Sequence, residues 1–160
     1  DNDMNFMHNG ANGSLTCANG DLTFQVSTVS KDMIFRGFNV GGSGTSPYFS
    51  LDGARGTTVH HRGVEYALTA VSNSDYTVTS GDYCIIMHSL TAQRTITIPT
   101  AQRNAGRVLI IKERDGYASS YNIVIDPESS VTIDGNATHT ISTNKGSVTL
   151  ISDGSNWFVI

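Results

Sequence analysis

The sequence predicts an all-β fold, and three observations predict it. Of the 160 residues, 12 are Val, 13 Ile and 18 Thr, a β-branched content that favours strands over helices. Short segments of alternating polarity recur, as where Leu22, Phe24 and Val26 are separated by Thr23 and Gln25, the period of a strand with one buried face. Turn-forming pairs such as Asn-Gly, Ser-Gly and Asp-Gly separate these segments at the roughly 8–12-residue spacing of a sandwich or barrel.

The elements fall into two groups that divide near residue 62. Up to Arg62 the strands are short: SLTC after Asn12-Gly13, DLTFQV after Asn19-Gly20, DMIFRGF after Lys31, then the GGSG turn at 41–44, YFSLDG and TTVHH. Gly and Asn supply the positive φ angles that tight turns need. Such half-apolar strands bury little area, while ordering each residue costs on the order of 1–2 kcal/mol. Residues 1–62 are therefore expected to complete their core with identical neighbours, as an intertwined β-shaft. From Gly63 to Ile160 the strands are VEYALTAV, DYTVT, DYCIIMHSL, RTITIP, RVLIIKER, YNIVID, SVTID, HTIST, SVTLIS and NWFVI. Ser80-Gly81, Asp115-Gly116, Asp134-Gly135, Asn144-Lys145-Gly146 and Asp153-Gly154 mark turns between them. Ten short strands in about a hundred residues predict an antiparallel, jelly-roll-like β-sandwich. VLII at 108–111 reads as buried on both faces and TITI at 95–98 as half exposed. Only 99–106 offers a helical turn, opened by Pro99 and closed by Gly106. The ending Trp157-Phe158-Val159-Ile160 is too apolar to fray, so the last strand is expected to pair inside a sheet.

Charged residues make up 15% of the chain, the net charge is −4 and the ten basic residues form no run, which argues against a nucleic-acid partner. No stretch approaches the roughly 18 apolar residues of a membrane span. The start DNDMNFMHNG has no signal-peptide pattern, so the chain reads as a soluble piece whose targeting segment lies elsewhere. Cys17 and Cys84 are read as free thiols, with Cys84 packed in the apolar run YCIIM.

Recognisable catalytic spacing is absent. The three glutamates, Glu65, Glu113 and Glu128, stand apart, and the eleven aspartates sit mostly before Gly or at strand ends, where Asp forms turns. No nucleophile elbow, zinc-protease helix, phosphate loop or C-x-x-C occurs, so the chain is read as non-enzymatic and without a cofactor. His60 and His61 are the one histidine pair, and one of them is a metal candidate if three copies meet on an axis. Sugar binding calls for exposed aromatic faces beside short polar groups. The loop RDGYASSY offers Arg114, Asp115, Tyr117, Ser119 and Tyr121 in one place, while the ordinary use of its tyrosines is to cover a sheet edge. Trp157 reads as core. The acceptor patterns at Asn12 and Asn136 are of the kind an Asn- and Thr-rich chain produces by chance.

The run DYTVTSGDYCIIMHS, then RTITIPTAQRNAGRVLIIKERDGYASSYNIVIDP, then TIDGNATHTISTNKGSVTLISDGSNWFVI resembles the C-terminal heads of tail fibres and surface fibres of bacteriophages and large aquatic viruses. The segments GDLTFQVSTVSKDMIFRGF and FSLDG resemble strand-turn repeats of fibre shafts. ERDGY departs from the plainer Asp-Gly turn common there. The resemblance implies a homotrimer on the virion, outside the cell, whose head recognises a host cell-surface glycan or protein. Three rivals share the composition: a monomeric carbohydrate-binding module, a polysaccharide depolymerase with acids about 5–9.5 Å apart, and a capsid decoration spike.

Overall fold

A computed structural model describes residues 4–8, 13–38 and 44–160. Asn12 of the expected Asn12-Gly13 turn and residues 41–43 of the GGSG turn lie outside the described residues. The described chain is all-β, with a three-residue 3₁₀ turn, Thr100–Gln102, as its one helical element. That turn follows Pro99, and Gly106 closes the loop at φ 82°, as the sequence predicts. The chain divides into two compact units, Asp1–Val64 and Glu65–Ile160.

The first unit holds two small sheets. Strands β1 (Met4–His8) and β2 (Gly13–Cys17) form an antiparallel pair, of which β1 was not foreseen in its polar sequence. Strands β3 (Met33–Phe38), β4 (Thr45–Asp52) and β5 (Thr57–His60) form an antiparallel sheet in the order β3-β4-β5. The register shifts between Phe35 and Arg36, leaving Tyr48 of β4 without a partner in β3, and beside it the Phe35 and Phe49 rings stack with centroids 4.3 Å apart. Between the sheets in sequence, 21–27 is not a strand, contrary to expectation. Its polarity alternates correctly, but its backbone makes no hydrogen bond with any described residue.

The second unit is a sandwich of two sheets around one core. Its strands are β6 (Leu68–Ser72), β7 (Tyr76–Thr77), β8 (Cys84–His88), β9 (Arg94–Ile98), β10 (Val108–Glu113), β11 (Ile123–Pro127), β12 (His139–Ile141), β13 (Ser147–Ser152) and β14 (Trp157–Val159). The sheet orders are β14-β13-β10-β8-β6 and β12-β11-β9-β7. From β6 to β11 successive strands alternate between the sheets, so β6, β7, β8 and β9 each pair with the strand two places along. Hence β6, β8 and β10 run parallel in one sheet, and β7, β9 and β11 run parallel in the other. The expected antiparallel, jelly-roll-like pairing is thus corrected to three coiled rungs, with antiparallel pairing confined to β12, β13 and β14. The physical reason lies in the turns. Ser80-Gly81, Asp115-Gly116 and Asn144-Lys145-Gly146 carry the chain across to the opposite sheet, whereas Asp153-Gly154 closes a hairpin between β13 and β14.

The inward side chains form one cluster. Ile85, Leu109, Ile111 and Leu150 of the five-stranded sheet and Ile96, Ile98, Ile123 and Ile125 of the four-stranded sheet are each at most 1% exposed. Trp157 joins them at 1%, as expected. Burying each such side chain stabilises the fold by roughly 1.5–3 kcal/mol. VLII is not buried on both faces: Leu109 and Ile111 point in, while Val108 and Ile110 lie half-buried on the outside. Cys84 is likewise half-buried on the outer face rather than in the core, and both cysteines are free. SVTID forms no continuous strand, although Val131 and Ile133 are buried and Ile133 bridges to Asn136 and Trp157. The terminal strand β14 pairs with β13 on one side, and on the other Trp157 exchanges backbone hydrogen bonds with Thr132 at 2.9 Å and Asp134 at 3.0 Å, while Ile160 is 70% exposed.

Candidate functional site

Stacked rungs bring their turns together, and at one end of the sandwich the residues ERDG fasten three of them. Glu113 occupies an inward position of β10, in register with Met87, and is fully buried. Its carboxylate accepts hydrogen bonds from the backbone N–H of Asp115 at 2.8 Å, Gly116 at 2.9 Å and Lys145 at 2.8 Å. Burial by itself would raise its pKa. The backbone N–H groups of Lys145, Tyr117, Asp115 and Gly116 together outweigh burial and hold the carboxyl below its ordinary value. Gly116 takes φ 95°, a conformation open to glycine and strained for other residues.

Asp115 reaches the neighbouring turn. Its Oδ2 accepts the Ser89 N–H at 2.7 Å, and its Oδ1 accepts Arg114 Nε at 2.8 Å. The Arg114 hydrogen bond, then the Ser89 N–H, lower the pKa of Asp115, while the hydrogen bond to Asp115 raises that of Arg114. Ser89 stands at φ 56°, the left-handed region, where this N–H bond and the contact of its hydroxyl with His88 Nδ1 at 3.1 Å hold it. Asn73 does a similar service one rung earlier: its Oδ1 accepts Thr91 N–H at 3.0 Å and Arg94 Nε at 3.1 Å.

Between these turns opens a groove of about 650 Å³ lined by Ser89, Leu90, Thr91, Asp115, Tyr117 and Tyr121. Tyr117 is 47% exposed, and Tyr121 packs partly against the core. Of the five residues expected in a ligand site, Asp115, Tyr117 and Tyr121 come together here. Arg114 acts through Asp115. Ser119 lies off the groove, with its N–H donated to Asn144 Oδ1 at 2.8 Å. The sequence reading missed Ser89, Leu90 and Thr91, which belong to a different rung. Two phenols, one ionised carboxylate and two hydroxyls can stack on a sugar ring and hydrogen-bond its hydroxyls. One carboxylate lines the groove, and Glu113 has its oxygens filled by backbone donors.

His60 ends β5 opposite Phe49, and His61 Nε2 contacts Ser50 Oγ at 3.0 Å. Both are exposed, and among the described residues no three His, Cys, Asp or Glu side chains gather as a metal site. A second carboxylate network closes the opposite turns. Asp82 is 7% exposed and accepts hydrogen bonds from Tyr76 Oη at 3.0 Å, Thr79 N at 2.7 Å, Thr79 Oγ1 at 2.9 Å and Thr69 Oγ1. Arg107 spans from the next turn to the carbonyls of Thr79 at 2.7 Å and Asp82 at 3.1 Å. No protein-family model matches the chain, and a search of curated proteins finds no match.

Proposed function

We propose that the chain is the distal part of a homotrimeric virion fibre, with 1–62 as shaft and 63–160 as head, and that it attaches the particle to a host cell-surface glycan or protein. The observation that carries this reading is the apolar surface of the first unit. Among its described residues, Phe24 is 61%, Val29 88%, Phe38 67% and Leu51 45% exposed, and seven further large apolar side chains are exposed beside them. At up to roughly 150–250 Å² for each aromatic and about half exposure, these amount to roughly 1,000 Å² per copy. A standard stable interface buries about 800 Å² per partner. The segment 21–27, whose backbone bonds no described residue, supports the same reading, since strand addition from another copy would satisfy its backbone.

In this reading the Asp115–Tyr117–Tyr121 groove is the receptor contact. Weak single-site binding suffices, because several linked sites raise avidity by about 10²–10⁴. Light scattering on the full chain tests the assembly: three times the 17.1 kDa chain mass is expected, and a monomer at micromolar concentration refutes the fibre. A glycan array probed with the wild type and with Tyr117→Ala/Tyr121→Ala tests the groove. Equal signals from the two would move the contact elsewhere. The groove's two tyrosines also fit a monomeric carbohydrate-binding module, and the same mass measurement separates it from the fibre.

A further inference from the structure

Parallel pairing leaves β6 with one open side. Its bonds to β8 run through every second residue: the Ala67 carbonyl accepts the Cys84 N–H at 3.0 Å, and the Asn73 N–H donates to the His88 carbonyl at 3.0 Å. In that register the N–H and C=O groups of Leu68, Ala70 and Ser72 point away from β8. All three residues are exposed, and these backbone groups meet no hydrogen-bond partner among the described residues. The other edges of the second unit's two sheets are short or shielded. Trp157 of β14 bonds Thr132 and Asp134 through its backbone, and β7 and β12 are only two and three residues long. By contrast β6 has five residues with no charge, proline or bulge, the devices that ordinarily keep a sheet edge from pairing.

We propose that the open edge of β6 accepts residues 21–27 of a neighbouring copy as an added strand, each copy giving one strand and taking one. The inference rests on the fibre reading above and deepens it by naming both sides of one contact. An open edge takes a segment of similar length whose own backbone is free to bond. Residues 21–27 are such a segment: all are exposed, and their backbone bonds no described residue. Leu22, Phe24 and Val26 alternate there with Thr23 and Gln25, so pairing sets the three apolar side chains on one face of the widened sheet. Leu68, outward on β6 and 62% exposed, gains cross-strand apolar neighbours from them. Phe24 and Val26 also belong to the exposed apolar surface of the first unit on which the assembly rests, so the contact continues that surface. Donor and acceptor are different parts of the chain, and an exchange passed from each copy to the next closes round a three-fold axis.

The test uses the full chain in a Cys17→Ser/Cys84→Ala background. Ala70→Cys is combined in turn with Leu22→Cys, Phe24→Cys and Val26→Cys, and isotopically light and heavy chains of each variant are refolded together before mild oxidation. Expected from at least one combination is a covalent trimer on a non-reducing gel, with mass spectrometry finding a donor peptide of one isotope joined to an acceptor peptide of the other. Ala70→Pro gives a second reading: it removes an N–H that bonds nothing in its own chain, so Trp157 fluorescence should stay native while light scattering falls to the mass of one chain. If the wild type is assembled but no combination crosslinks between copies, or the disulfides join residues of one chain only, the exchange is overturned and the fibre reading stands. A monomeric wild type overturns both. Should Ala70→Pro unfold, the crosslinks decide.

Discussion

Replacing Glu113 by glutamine is expected to destabilise the second unit by about 3–5 kcal/mol at pH 7. The carboxylate accepts three backbone N–H groups in a fully buried position. Hydrogen bonds to a charged group contribute about 1.5–3 kcal/mol each, and an unsatisfied buried donor costs about 1–3 kcal/mol. The amide oxygen keeps the Asp115 and Gly116 donors on the Oε1 side but loses the charge. The NH₂ then faces the Lys145 N–H, donor against donor, and neither finds an acceptor. Urea unfolding followed by the fluorescence of Trp157, the one tryptophan and 1% exposed, measures the loss, at fixed chain concentration so that assembly does not shift the midpoint. The pH dependence gives an independent check. The folded pKa of Glu113 is lowered, so its contribution is full above the unfolded value of about 4.3 and is lost as pH falls through the folded value. The gap between wild type and Glu113→Gln should therefore narrow below about pH 4. A loss under about 1 kcal/mol at pH 7, or a gap that is constant from pH 6 to pH 3, would refute the clasp.

Gln25→Pro removes an N–H that no described residue accepts, so it should leave the fold of a single chain intact yet abolish assembly, read by light scattering; an unchanged mass means that 21–27 is not a paired strand in the assembly. Asp82→Asn should cost about 2–4 kcal/mol at pH 7 in the same urea assay, since it exchanges a four-donor acceptor for an amide. Burial raises the Asp82 pKa, but the Thr69, Thr79 and Tyr76 hydrogen bonds outweigh it. Its contribution therefore holds above the unfolded value of about 3.9 and disappears as pH falls through the lower folded one.

Much of the candidate site was legible as residues but not as a place. RDGYASSY drew attention because two tyrosines, an arginine and an aspartate are close in sequence, and three of its residues do share a groove. The other wall, Ser89 to Thr91, comes from a turn some 25 residues earlier, which becomes a neighbour through the parallel pairing of β8 and β10. ERDG stood out as an unusual turn. Its purpose, two carboxylates clasping the turns at Ser89 and Lys145, depends on donors far along the chain.

The sequence by itself determined the β class, the inward isoleucines of RTITIP and YNIVID, the burial of Trp157 and a change of character near residue 62, because alternation and branching act locally. Tertiary structure decided which strand pairs with which. An Asp-Gly or Ser-Gly turn reverses the chain equally well within one sheet or across to the other, and the choice is made by which inward side chains close one core. That choice set β8 beside β10 and opened the groove between their turns.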